Sequence, residues 1–471
     1  MERLTPTDSL FLSVENRVTP MHVGGLLTLD TTNARDFGFE QVRDLFMRRM
    51  ARVPKYTWKL KEVPFNFDRP FWTDGDLNID QHFGRITVAP PAGPREIATA
   101  LGDVMSQPLD RGLPLWRMWY LDGLADGIAA LYTTYHHCLM DGTSGASLSN
   151  VILDLEPNPE PDTPDAPAGP GGRNSSDLEH VLASGLSMMA TPLRLAEFVG
   201  GLARRVADPA PELVRHGVPA AVLSRPPRTS FNSPVGTRRT MAFAAVSLAD
   251  TKSVRKRLGV TVNDVLIALC AAAMERYMNN IDETESTRPL ALAVPISMRA
   301  PGDLELTNRV STLLVSVPTG IDPIERLRAI SSETTRGKQL ARAFTTRLPS
   351  VGGFVPPIVL SATMKAATPL FPWMPVLMNA IVSTVNGAPV PLYVAGARVT
   401  GTYPTSILMA NMGMNFTAIS LEDHVDIGIT VDPKLVPDPW LVADAIPGAL
   451  EALMHAAGLG DPQPMRVLAV A

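Results

Sequence analysis

Apolar residues recur along this chain in two registers, and the changes between them divide it into elements. Leu131, Tyr132, Thr133, Thr134 and Tyr135 are β-favouring types that read as a buried strand, and the apolar spacing over 144–153 is that of a helix. Between 178 and 206, Leu182, Leu186, Met189, Leu193, Ala196, Val199 and Leu202 fall at three- and four-residue steps, which predicts an amphipathic helix kinked at Pro192. The run over 240–246 reads as another strand. Leu266, Leu269, Cys270, Ala273 and Tyr277 predict a helix over 265–277 with one apolar face.

Two passages carry no such period. Six prolines (157, 159, 161, 164, 167 and 170) sit among Asp, Glu and Gly over 156–175, a composition with almost nothing to bury that reads as a solvated linker. A second proline-rich passage spans 208–234. These breaks predict a first domain over 1–155, a linker with its amphipathic helix over 156–228, and a second domain over 229–471. A chain of 471 residues is long enough for two cores. The most apolar stretch is 347–398, where Lys365 is the one charge between the terminal arginines. Prolines at 356, 357, 369, 372, 375, 389 and 391 interrupt every window approaching the ~20 residues of a membrane span. The stretch therefore reads as core, or as an interfacial or tunnel-lining surface for long acyl chains.

The formal charge of −5 implies no basic face for nucleic acid. Cys138 and Cys270 are the two cysteines, too few for a disulfide scaffold and in keeping with a reducing compartment. The N-terminus lacks the basic start and apolar run of a secretory signal, so a cytoplasmic location is expected.

The chemistry concentrates at Tyr135-His136-His137-Cys138-Leu139-Met140-Asp141-Gly142, where the strand gives way to the helix. Consecutive side chains on an extended backbone point to opposite faces, so one histidine works and the other supports. A neutral imidazole can take a proton from a hydroxyl and return it to a leaving group, as acyl transfer to an alcohol requires. Asp141 can orient an imidazole or pair with a distant arginine, and Gly142 suits a turn needing positive φ. Three other readings stand beside this one: hydrogen-bonded core histidines, a metal site, and Cys138 as a thiol nucleophile. The metal reading is short of ligands, because no further His/Cys cluster follows.

HHxxxDG in the N-terminal half resembles the signature of the bacterial wax ester synthase/acyl-CoA:diacylglycerol acyltransferase family, whose mycobacterial triacylglycerol synthases it brings nearest. That family is related to chloramphenicol-acetyltransferase-like enzymes and to peptide-synthetase condensation domains. The likeness extends through Leu4-Thr5-Pro6-Thr7-Asp8-Ser9-Leu10-Phe11-Leu12, Pro20-Met21-His22-Val23-Gly24, Pro114-Leu115-Trp116, Asn263-Asp264, Val294-Pro295-Ile296-Ser297-Met298-Arg299, the Tyr393-to-Arg398 block, and the stretch from Asp423 through Asp432. It implies an α/β fold of two chloramphenicol-acetyltransferase-like domains with mixed sheets and an active-site channel between them. It further implies that His137 is the base, that His136 and Asp141 hold the loop, and that Pro114, Leu115 and Trp116 shape the site. Asn263, otherwise a plain helix cap, becomes a candidate for substrate positioning or oxyanion stabilisation, with Asp264 beside it. Arg299 and Asn308 become candidate substrate-binding residues. Lys252, Arg255, Lys256 and Arg257 suit the phosphates of CoA or form a solvated helix face. The implied reaction transfers an acyl group from acyl-CoA to diacylglycerol, with no metal and no redox cofactor, at a membrane or lipid-droplet surface. A long-chain fatty alcohol is the alternative acceptor. A droplet-coating protein without activity is a third possibility, which an intact His137 and Asp141 disfavour.

Overall fold

The computed structural model describes residues 2–139, 152–159, 225–297, 310–345 and 361–465, apart from 51–52, 64–65, 67, 76, 91, 126, 284–287, 364, 367 and 464. The chain opens with helix α1 (Pro6–Val14), started by Thr5, whose hydroxyl accepts the Asp8 amide. Strand β1 (His22–Asp30), helix α2 (Phe39–Met50), strand β2 (Phe83–Thr87), helix α3 (Pro94–Ser106), and strands β3 (Trp116–Asp122) and β4 (Ile128–His136) follow, with a small three-stranded sheet of Glu2–Arg3, Phe71–Asp74 and Trp58–Lys61 beside them. After 225 come β5 (Thr240–Ser247), α4 (Leu248–Leu258), α5 (Val262–Asn280), β6 (Leu290–Ser297), β7 (Val310–Val317) and α6 (Pro323–Thr345). The chain then runs through β8 (Ala380–Val385), β9 (Tyr393–Val394), β10 (Ala397–Thr405), β11 (Met414–Leu421), β12 (His424–Val431) and α7 (Ala445–Ala456).

Two six-stranded mixed sheets result, ordered β9-β10-β1-β4-β3-β2 and β7-β6-β8-β11-β12-β5. The fold is α/β, as expected. The expected boundary at 228/229 follows chain order but not sheet membership, because β9 and β10 belong to the first sheet although they lie late in the chain. The reason is the edge of β1. Without β10 that strand would leave a row of unpaired backbone groups, and β10 pairs it antiparallel from Arg398 opposite Asp30 to Thr405 opposite Gly24. To get there β10 crosses tightly over β12: a Cβ on Gly428 would stand 1.8 Å from the Pro404 carbonyl oxygen, so this position admits only glycine.

One apolar core runs through both sheets. Tyr403 of β10 packs on Phe243 of β5 with ring centroids 4.4 Å apart, and Leu101 of α3, Tyr132 of β4 and Phe416 of β11 join them. A second cluster fills the other face of the first sheet and includes Phe46, Trp72, Leu115 and Trp116. The predicted strands 131–135 and 240–246 lie within β4 and β5. The predicted helix 265–277 lies within α5, which begins earlier because Thr261 and Asp264 form a reciprocal cap. The expected helix over 144–153 apart from its last two residues, the whole of that over 178–206 and most of the 156–175 linker lie outside the described residues. Among the described residues no single helix is long and apolar enough to cross a membrane.

Candidate active site

The histidine pair sits at the end of β4, and its surroundings are built from three directions. In the ladder His22 of β1 stands opposite His136. On the other side the Leu115 carbonyl accepts the His136 amide at 2.9 Å, and the Met21 carbonyl accepts the His137 amide at 2.8 Å. The Pro-Leu-Trp element therefore does more than pack: its backbone fixes where β4 ends. Trp116 is sealed in the core, with Nε1 donating to the Tyr56 carbonyl at 2.9 Å and its ring stacked on His82.

The two histidines have different environments. His136 is buried, and its Nδ1 accepts the Cys138 amide at 3.1 Å. An acceptor nitrogen carries no proton, so the ring proton resides on Nε2, which faces Glu15 Oε1 at 3.3 Å. His137 is only partly buried and stacks face to face on Phe11, at 4.0 Å between centroids and 15° between planes. One short helix thus addresses both rings, Phe11 in its body and Glu15 at its C-cap.

Glu15 is the residue that sequence reasoning missed. It accepts the Met21 amide at 3.1 Å and Arg111 NH2 at 2.8 Å, and Arg111 also donates to the Leu12 carbonyl at 2.7 Å. Burial alone would push its carboxyl up. His136, the Met21 amide and Arg111 outweigh that and hold it down at about 2. A lone Glu just past a helix gives no sequence signal of this role, because its partners lie some 96 and 121 positions away. His22, one of the residues carrying the family likeness, donates from Nε2 to the Met105 carbonyl at 3.0 Å. Burial lowers its pKa to about 4, so it is a neutral core histidine. A small cavity of about 10 Å³, room for roughly one water, is lined by His22, Tyr132, Arg239 and Thr405.

Cys138 is buried, and burial, with Asp8 and Glu15 adding to it, pushes its thiol well above the usual range. It cannot serve as a thiolate nucleophile. Asp141 and Gly142 lie outside the described residues, as do Arg299 and Asn308. The far end of the motif loop is nonetheless anchored. Arg49 donates to the Ile152 carbonyl at 2.7 Å and to Asp154 Oδ1 at 2.6 Å, and the Asp154 and Tyr393 backbones exchange hydrogen bonds.

On the second sheet, Thr261 caps α5, so Asn263 occupies the first turn rather than the cap position expected for it. Its Oδ1 accepts the Thr384 hydroxyl of β8 at 2.8 Å, and the amide Nδ2 is its donor group. Asp264 accepts the Thr261 amide at 2.9 Å and the Thr334 hydroxyl at 2.7 Å, tying α5 to α6. Lys252, Arg255, Lys256 and Arg257 are all exposed on α4. Beyond the end of that helix lies an open groove of about 580 Å³ lined by Gly259, Arg328, Ser331, Thr335 and Arg336. Sequence reasoning had not selected Arg328 or Arg336. Among the described residues no three His, Cys, Asp or Glu side chains are grouped to hold a metal ion.

A model of the wax ester synthase/diacylglycerol acyltransferase catalytic domain matches residues 4–266, and one of the C-terminal domain of the same proteins matches 306–454. The chain belongs to the wax ester synthase/diacylglycerol acyltransferase family. A protein of Mycobacterium tuberculosis provisionally named diacylglycerol O-acyltransferase is 33% identical over 470 residues, covering 98% of this chain and 92% of its own. Another of that organism, with a similar name, is 30% identical over 476 residues and is covered completely. Among solved structures, the wax ester synthase/diacylglycerol acyltransferase of Marinobacter aquaeolei superposes with a TM-score of 0.70 at 27% identity, covering 98% of this chain and all of that one. The first condensation domain of the calcium-dependent antibiotic synthetase shares the fold with a TM-score of 0.57 at 12% identity, covering 97% of this chain and 96% of that one. This family member therefore has the two-domain fold shared with condensation domains.

Proposed function

We propose that this protein moves a long-chain acyl group from acyl-CoA to diacylglycerol, releasing triacylglycerol and CoA, with His137 as the base. The observation that carries the assignment is the asymmetry of the pair. His136 is locked between the Cys138 amide and Glu15, whereas His137 is the partly exposed ring, held by stacking on Phe11. In this reading His137 takes the proton of the acceptor hydroxyl as its oxygen attacks the thioester carbon. A C–O bond forms, the tetrahedral oxyanion collapses, the C–S bond breaks, and the departing thiolate recovers the proton. No acyl-enzyme forms, in keeping with the protonated, buried Cys138.

The Asn263 amide, whose oxygen is held by Thr384, is suited to donate through Nδ2 to the oxyanion, a role worth about 3 kcal/mol. The cations of α4 and the adjoining groove, Arg328 and Arg336 included, would hold the CoA phosphates. A fatty alcohol is the second acceptor, favoured by the Marinobacter structure, whose name includes wax ester synthase. Because both acceptors are lipids, the protein would work at a membrane or lipid-droplet surface. The test is to incubate purified protein with labelled palmitoyl-CoA and, separately, dioleoylglycerol, hexadecanol or no acceptor, and to resolve the lipid products. Label in triacylglycerol supports the proposal; label only in free palmitate overturns it.

A further inference from the structure

The chain has six tryptophans, and five are buried. Trp58, Trp72, Trp116, Trp119 and Trp440 are at most 9% exposed, whereas Trp373 is 85% exposed. It ends a short 3-10 turn, Thr368–Trp373, and has apolar company: Leu370 is 59% exposed, Met374 42% and Leu377 63%. Pro372 and Pro375 are exposed between them. Four large apolar side chains standing outward within eight residues form a projecting patch, which calls for an occupant.

The backbone under the patch is capped from the protein side. Arg228 donates to the Met374 carbonyl at 2.6 Å, and Asn411 donates to the Phe371 carbonyl. The buried Asn232 reaches the Met378 and Asn379 carbonyls with Nδ2 at 3.3 and 3.1 Å. Its Oδ1 accepts from Thr229 and from Asn379 Nδ2. Polar backbone that enters hydrocarbon must have its partners supplied by the protein, and these carbonyls do.

Charge selects the occupant. The segment 361–380 that carries the patch contains no Asp or Glu and one cation, Lys365, and the more distant Arg336 and Arg398 are paired with Glu333 and Glu422. Lys365 is exposed just before the patch, and Arg228 lies beneath it. A second copy of the chain would bring like charge to like charge, whereas anionic headgroups attract it. A tryptophan ring with aliphatic neighbours is also the set that settles at the boundary between headgroups and acyl chains.

We infer that Leu370, Trp373, Met374 and Leu377 form the element that inserts into an anionic lipid surface, holding the enzyme where its lipid acceptor resides. The inference rests on the reading that the acceptor is a lipid.

The test uses the full chain and vesicles of phosphatidylcholine and phosphatidylglycerol containing diacylglycerol, with and without brominated acyl chains. In the wild type the exposed tryptophan emission shifts to the blue and is quenched by bromine, and Trp373→Phe removes that component. Leu377→Ser keeps the reporter and weakens vesicle binding by about tenfold; Trp373→Ser/Leu377→Ser weakens it on the order of a hundredfold. Both retain wild-type turnover with a water-dispersed short-chain diacylglycerol. The inference is overturned if vesicles bind without quenching of Trp373. It is equally overturned if the blue shift follows protein concentration without lipid and sedimentation shows a dimer that Leu377→Ser dissolves. Insertion without turnover on any acceptor would sink the catalytic reading alone. Turnover of the short-chain acceptor without insertion would sink this inference alone.

Discussion

His136 Nε2 lies 3.3 Å from Glu15 Oε1, and these side chains are 1% and 6% exposed. This contact sorts the histidine pair. A buried imidazole with one nitrogen taken by a backbone amide and the other facing a carboxylate is a poor acceptor for a substrate proton, and a ring at the boundary beside it is a good one. If His137 is the base, His137→Ala lowers turnover by about two to four orders of magnitude with the melting temperature little changed. His136→Ala costs less turnover and more stability. Steady-state rates and thermal melts on the two variants check this, and near-wild-type activity in His137→Ala refutes it.

Glu15 also predicts an acid response. Its folded pKa, about 2, lies below its ordinary 4.5, so the stability it contributes is present above pH 4.5 and is lost as pH falls toward 2. Glu15→Gln should remove that part of the pH dependence and lower stability at neutral pH by roughly 3 kcal/mol. Denaturant midpoints measured from pH 7 down to 3 for both proteins provide the comparison. Parallel curves would mean the carboxylate is not held as the geometry indicates.

Thr384 acts on Asn263 rather than on substrate. Losing its hydroxyl leaves the Asn263 amide free to turn, so Thr384→Val should lower kcat several-fold with KM for acyl-CoA unchanged. Asn263→Ala should lower kcat by about 10². The pair is informative as a double variant: if Thr384 works through Asn263, adding Thr384→Val to Asn263→Ala costs nothing further. Additive losses would separate the two residues.

Arg328 and Arg336 border the groove beyond α4. Replacing both with alanine should raise KM for acyl-CoA by about tenfold and leave kcat near wild type, as expected when binding is lost equally in ground and transition states. The same variant should lose its preference for CoA over 3′-dephospho-CoA in product inhibition. An unchanged KM would place the phosphates elsewhere.

Strand β10 bears on any attempt to divide the chain. Residues 1–155 by themselves lack the strand that covers β1, so that fragment should aggregate or remain unfolded and show no acyl transfer. Co-expressed halves cut within 160–175 should recover part of the activity, because β10 then arrives with the second half. Gly428→Ala, which drives a Cβ onto the Pro404 carbonyl, should destabilise the whole protein by several kcal/mol in chemical denaturation. A folded, active N-terminal fragment would contradict this arrangement.

What was legible in the sequence was local. The strand carrying the histidines, the helix after Asn263-Asp264 and the family motifs all follow from residue type and short spacing, because propensity and periodicity act over a few residues. The position of Asn263 within its helix needed one more step, recognition that Thr261 and Asp264 cap each other three residues apart. The rest was decided by contacts between distant positions, which leave no period in a single sequence. Glu15 gains its role only when α1 folds over the end of β4 and Arg111 arrives from behind. The Tyr393-to-Arg398 block stands in the sequence only as a family motif, and its place is set when the bare edge of β1 claims the strand that follows it. The apolar stretch around Trp373 reads as core or as an interfacial surface, and only the folded chain sets this ring outside, with Arg228, Asn232 and Asn411 holding the backbone on either side of it.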